Sequence, residues 1–215
     1  MRAFLVLLAA LALLVGCGSE DDDSPSAGGE TTTATECQEV DAPEARDPEP
    51  AEAPSGSLTE ATTLTFDTSC GAFVVTLDPE SGPKTGASLV ALAESGYFDD
   101  TIFHRVVPGF VIQGGDPTQS GAGGPGYSTV DVPSSDAAYT DGVVAMAKSG
   151  VEAPGTAGSQ FFVVTGEDIG LPPEYAIVGE VTEGMETVMR IDALGVGDGP
   201  PSQPVVVNTV TVGSS

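Results

Sequence analysis

Short β-rich runs, each closed by glycine or proline, succeed one another through residues 58–215. That punctuation restricts the fold more than any other feature of the chain, because it leaves little room for long helices. "LTFDTSCGAFVVTLD" (64–78) sets two such runs about Ser69-Cys70-Gly71 and reads as a hairpin. Residues 101–115 read as strand broken by a turn at Pro108-Gly109. The runs 141–149 and 159–166 flank a Gly/Pro-rich loop, and 174–182 and 204–212 complete the series. Two segments change period. In 82–98, Pro83 marks a helix start, Leu89, Leu92 and Ala93 fall at helical spacing, and Gly96 stands where a C-cap belongs. In 183–194, Met185, Val188 and Met189 share one helical face. About eight strands and two helices with short connections predict a mainly β fold, a barrel rather than a βαβ array.

The N-terminal part has a different character. Arg2 precedes an apolar run from Ala3 to Val15, too short for a membrane span of about 20 residues, and Gly16-Cys17 follow it. Residues 1–16 therefore read as a signal peptide, and "LLVGC" (13–17) resembles a bacterial lipobox, in which the cysteine becomes the lipid-bearing N-terminus, the alternative being an ordinary signal peptide with an incidental cysteine. Residues 17–57 read as an acidic, disordered tether. From Gly18 to Ser57 there are twelve Asp and Glu, one basic residue (Arg46) and one large aliphatic residue (Val40), too little apolar surface to offset ordering entropy. The remaining 158 residues, 58–215, suffice for one domain with its own core. They carry 20 acids and 4 bases, a balance that repels nucleic acid and anionic head groups. With Cys17 lipidated, Cys37 and Cys70 remain, and in an exported chain they are expected to pair, the alternative being two free thiols. One histidine and these cysteines cannot build a zinc cluster of about four ligands, so no metal is expected.

The glycine loop 120–128 contains Gly121-x-Gly123-x-x-Gly126, the spacing of a dinucleotide fingerprint. No helix pattern follows, and Pro125 and Pro133 oppose one, so that reading is rejected. Chemistry points instead to "TIFHRVVPGFVIQGGDP" (101–117), which places Arg105 and the only histidine, His104, within an apolar run. Strand alternation puts Phe103, Arg105 and Val107 on one face of 103–107, and Val111 and Gln113 on one face of 110–113. Folded about Pro108-Gly109, the two strands would set Arg105 beside Gln113. A guanidinium held by an amide is a directed donor that never acts as a base. The plainer alternative is a surface Arg paired with Asp99 or Asp100.

"FHRVVPGFVIQGGDP" (103–117) and "GSQFFVVT" (158–165) closely resemble the two signature segments of cyclophilin-type peptidyl-prolyl cis-trans isomerases. The weaker "AMAKSG" (145–150) and "EYAIVGEV" (174–181) fall in the right order, and the resemblance runs from about Thr63 to Val212. It implies an eight-stranded antiparallel β-barrel capped by two α-helices, with the active groove on its outer surface. By position, Arg105 resembles the family's catalytic arginine and Gln113 the glutamine that orients it. Phe110, Val111, Phe162, Leu171 and Tyr175 resemble the proline pocket. Ala147, Lys148 and Gln160 resemble the positions that bind the peptide backbone and the preceding side chain. His104 alternates away from Arg105 and is read as structural.

The resemblance implies a cofactor-free enzyme acting on proline-containing peptides and folding exported proteins. The expected molecule is a monomer, lipid-anchored outside the cytoplasmic membrane. The alternative is a proline-peptide-binding module or holdase with little turnover. Departures from the family pattern bear on selectivity. Gly170 stands where a pocket tryptophan is usual, Tyr175 where a histidine is common, Val111 where a methionine is usual, and Lys148 where an asparagine is usual. Weak cyclosporin binding and an altered preference for the residue before proline are expected.

Overall fold

The computed structural model of the chain describes residues 36–214. The signal peptide, Cys17 and the first part of the tether lie outside the described residues. The first hairpin forms as its sequence predicts: β1 (Thr62–Thr68) and β2 (Gly71–Leu77) pair antiparallel, with Thr68 opposite Gly71. Inward Leu64, Phe66, Phe73, Val75 and Leu77 are all buried, the period-two pattern of strands with one face on a core. Helix α1 (Pro83–Glu94) begins on a proline and ends before Gly96, whose φ of +70° suits the end of a helix. It buries Leu89, Leu92 and Ala93.

The next strands are short: β3 (Thr101–Ile102), β4 (Arg105–Val107) and β5 (Val111–Gly114). Then come β6 (Thr129–Val130), β7 (Val143–Met146), β8 (Thr156–Ala157), β9 (Phe161–Val164) and β10 (Ile177–Glu183). Helix α2 (Met185–Asp192) and β11 (Val206–Ser214) complete the order. Nine strands form one antiparallel sheet in the order β3-β11-β1-β2-β10-β7-β9-β5-β4, while β6 and β8 pair separately. The outermost strands, β3 and β4, are separated in sequence by Phe103-His104 alone, so the chain itself brings the two ends of the curled sheet together. Counted as one interrupted strand, they leave eight around the curl, matching the sequence expectation. In α2 the expected face is partly wrong. Val188 is buried, but Met189 is 41% exposed, and Ile191 and Asp192 take the inward positions.

Strands β7 and β9 are apolar on both faces because both are covered. One cross-strand row, Val106–Ile112–Val163–Val144, points into the main core. The alternate row, Arg105–Gln113–Phe162–Ala145, lies on the opposite face. There a second apolar cluster forms from Val111, Tyr139, Ala145, Phe162 and Val164.

The tether expectation needs correction over residues 36–57. This acidic segment runs along the domain as an extended arm. Its backbone N–H groups at Gln38, Arg46 and Ala51 donate to Ser69, Pro117 and Pro125 carbonyls at 2.8, 3.0 and 2.9 Å. Arg46 Nη2 donates to the carbonyls of Tyr97 and Asp99, at 2.5 and 2.6 Å. Cys37 and Cys70 form a disulfide, and Cys37, Ala51 and Leu58 pack on the core. Composition signals disorder by scarcity of apolar side chains, but this arm is held by main-chain bonds, one guanidinium and a covalent bridge.

Candidate active site on the outer face of the sheet

The Pro108-Gly109 turn aligns β4 and β5 so that Arg105 stands directly opposite Gln113 and Val107 opposite Val111. Gly109 has φ +66°, a conformation that costs glycine little. Its N–H donates to both carboxylate oxygens of buried Asp192, at 3.1 and 3.2 Å, and Thr165 Oγ1 donates to Asp192 Oδ1 at 2.7 Å. The end of α2 thereby fixes the turn that delivers Phe110.

Arg105 is held at two points. Nη1 donates to Gln113 Oε1 at 3.3 Å, and Nε donates to Asp198 Oδ1 at 2.6 Å. The ion-pair partner is thus Asp198, not Asp99 or Asp100. The hydrogen bond from Arg105, and then its charge, lower the Asp198 pKa. Nη2 has no protein acceptor among the described residues, and the guanidinium carbon lies 5.9 Å from the Phe110 ring centre. The side chain is 31% exposed, so the donor is fixed yet reachable.

Beside it lies the second apolar cluster. Phe162 and Val111 are buried at its base, and Phe110, Leu171, Tyr175 and Ala147 pack against it while partly exposed. Tyr139, which the sequence reading missed, organises this wall. Its hydroxyl donates to Tyr175 O at 2.7 Å and accepts from Tyr175 N–H at 3.0 Å. Its ring meets those of Phe162 and Tyr175 at 6.4 and 6.0 Å, and Phe162 meets Tyr175 at 5.8 Å. Burial raises the Tyr139 pKa, so the hydroxyl stays protonated and able to donate. Nothing in residues 131–142 has the periodicity that would have flagged it.

Gln113 also reaches the other way. Its Nε2 donates to Gln160 Oε1 at 3.2 Å, and Gln160 Nε2 donates to the Gly123 carbonyl at 3.0 Å. A groove of about 860 Å³ adjoins this pair, lined by Gln113, Gly123, Pro125, Ala147, Lys148 and Gln160 among others. Lys148 borders the groove, but its ammonium is committed elsewhere. The side chain is 3% exposed, and Nζ pairs with Glu174 Oε2 at 3.1 Å, donates to Ser149 and Glu152 carbonyls, and sits 5.4 Å from the Tyr175 ring centre. A desolvated cation over an aromatic face is a favourable contact, and it ties the two loops together.

The glycine loop shows why its fingerprint spacing is no nucleotide site. Fully buried Asp116 accepts from the N–H groups of Thr118, Gly121 and Gly123 and from Thr118 Oγ1. The loop's amides are turned onto a carboxylate of the same chain. Burial raises the Asp116 pKa, and the Thr118, Gly123 and Gly121 hydrogen bonds more than offset it, leaving it lowered. A Cβ at Gly123 would stand 2.1 Å from Asp116 Oδ1, so only glycine fits.

His104 lies closer to the site than expected. Its Nε2 is 3.5 Å from Gln113 Nε2, and its buried Nδ1 has no hydrogen-bond partner among the described residues. Burial is the largest cause of its lowered pKa; Asp116 raises it and Arg105 lowers it further. It is therefore a neutral neighbour of Gln113.

A family model described as cyclophilin type peptidyl-prolyl cis-trans isomerase/CLD matches residues 63–212. A probable peptidyl-prolyl cis-trans isomerase A of Mycobacterium leprae is 37% identical over 178 residues, covering 74% of this chain and 96% of the relative. A peptidyl-prolyl cis-trans isomerase-like 1 of Emericella nidulans is 42% identical over 135 residues, covering 61% and 82%. The crystal structure of a Cryptosporidium parvum cyclophilin type peptidyl-prolyl cis-trans isomerase superposes with TM-score 0.66 at 30% identity, over 72% of this chain and 99% of that one. A second structure of that protein, in the presence of the dipeptide Ala-Pro, gives TM-score 0.65 at 31% identity, over 71% and 99%.

Proposed function

The chain belongs to the cyclophilin-type peptidyl-prolyl cis-trans isomerase family, and from that premise we propose that Arg105 drives X–Pro rotation at the outer-face apolar wall. The observation that carries this reading is the two-point hold on Arg105 beside Phe110, with Nη2 left over. Amide resonance imposes a rotation barrier of about 18–20 kcal/mol, and an unaided X–Pro bond crosses it in tens of seconds or more. Rotation pyramidalises the prolyl nitrogen and exposes its lone pair. A guanidinium N–H aimed at that lone pair bonds more strongly in the twisted state than in either planar one, which is what lowers a barrier. The prolyl ring is seated against Phe110, Leu171 and Tyr175 over Phe162. The groove beyond Gln113 and Gln160 takes the residues before proline. Substrates on this reading are proline-containing peptide segments.

The same reading places the protein outside the cytoplasmic membrane, lipid-anchored through Cys17 and acting on exported chains. The Cys37–Cys70 bridge supports it, because such bridges persist in oxidising compartments. The test of the chemistry is exchange spectroscopy on an X–Pro peptide with wild type and Arg105→Ala. A fall of roughly a hundredfold in the catalysed exchange rate is expected from losing one transition-state donor; unchanged exchange defeats the mechanism. For the anchor, Cys17→Ser is expected to lose fatty-acid label and membrane association together.

A further inference from the structure

Asp198 stands where a carboxylate is expected to contribute little to stability. Its side chain is 69% exposed, and solvent and salt screen an exposed ion pair until it adds little to stability. Yet its loop is fastened to the strand that carries Arg105. Val106 N–H donates to Gly199 O at 2.8 Å, and Val106 and Gly199 form a β-bridge. Gly195 lies so close to Pro108 that a Cβ there would stand 2.7 Å from its ring. Ser202 N–H closes the base of the loop onto Leu194 O at 2.8 Å. Residues 198–199 thus grip residues 105–106 twice, once through side chains and once through the main chain.

We propose that Asp198 is a positioning residue for the Arg105 guanidinium. The inference rests on the catalytic reading of Arg105 given above. A guanidinium is planar, with five N–H donors in fixed directions. A bond to Gln113 alone leaves the plane free to swing about that contact. A second bond, from Nε to a carboxylate on a loop clamped to the same strand, fixes the plane. The guanidinium is then held beside Phe110 without further ordering when substrate arrives, the situation in which a preformed donor is most effective.

Exchange spectroscopy on an uncharged X–Pro peptide tests this with Asp198→Asn, Asp198→Glu, Arg105→Ala and the Arg105→Ala/Asp198→Asn double variant, all compared for Tm. Asp198→Asn is expected to lower kcat/KM roughly three- to tenfold, mainly through kcat, with Tm unchanged. Asp198→Glu is expected to recover part of the loss. At about 1 M salt, where the screening length is about 3 Å, wild type should slow toward Asp198→Asn while Asp198→Asn itself changes little. In the Arg105→Ala background, Asp198→Asn should have no further effect. The proposal is overturned if Asp198→Asn leaves kcat/KM unchanged. It is equally overturned if Asp198→Asn costs as much without Arg105 as with it. Full activity in Arg105→Ala would instead remove the catalytic reading itself, a result the single Arg105 variant reports separately.

Discussion

Asp192, at the end of α2, accepts the Gly109 N–H through both carboxylate oxygens and so ties a helix to the turn between the two strands of the candidate site. Asp192→Ala leaves that N–H and the Thr165 hydroxyl without their acceptor. A loss of about 1–3 kcal/mol is expected, read by chemical denaturation. Because the turn delivers Phe110, catalysed exchange should fall as well, under conditions where the variant remains folded.

The arm makes a second prediction. Arg46→Ala removes two charge-assisted bonds to the Tyr97 and Asp99 carbonyls and should cost about 1–3 kcal/mol. Removing the bridge with Cys37→Ser and Cys70→Ser reopens a loop of sequence separation 33 and should cost about 3–4 kcal/mol by chain entropy. Reductant should lower the Tm of wild type and leave that of the double variant unchanged.

Tyr139→Phe removes both bonds that hold the Tyr175 backbone while keeping the ring. The expected result is about 1–2 kcal/mol of destabilisation and a several-fold rise in KM for proline peptides, with kcat nearly kept. A loss confined to kcat would contradict a role in the pocket wall.

His104 sets the sign of a pH effect. Its folded-state pKa lies below the unfolded value near 6.5. Between those two values the unfolded chain binds more protons, so stability rises with pH there and falls as pH drops below about 6.5. Between pH 7 and 5, wild-type Tm should fall more steeply than that of His104→Gln. Parallel slopes would show that the imidazole does not titrate differently in the two states.

How far the sequence led depended on range. The hairpin about Ser69-Cys70-Gly71, the α1 boundaries and the Arg105–Gln113 pairing are local consequences of alternation and turn residues, and all three appear in the structure. Asp198 could not be found the same way. It lies 93 residues beyond Arg105, and only closure of the sheet brings it near, while Asp99 and Asp100 were conspicuous merely by being close in sequence. Met189 fits the helical spacing in α2 yet faces solvent, because Ile191 and Asp192 fill the inward positions. The order of the arm is invisible to composition because main-chain bonds leave no compositional trace. The glycine spacing at 121–126 serves the Asp116 carboxylate, a partner that only the three-dimensional fold supplies.

Strand β9 has a further consequence. Phe161 packs inward against Phe66, Phe98 and Phe103, while its neighbour Phe162 faces Tyr139 and Tyr175 outside. The outer wall of the candidate site and the wall of the core are therefore one layer of backbone at β9. The base of the site at Phe162 is therefore expected to open only with the sheet. Amide deuterium exchange at residues 161–164 should therefore be among the slowest in the molecule, proceeding only through global opening, and those same amides should report peptide binding on the other side.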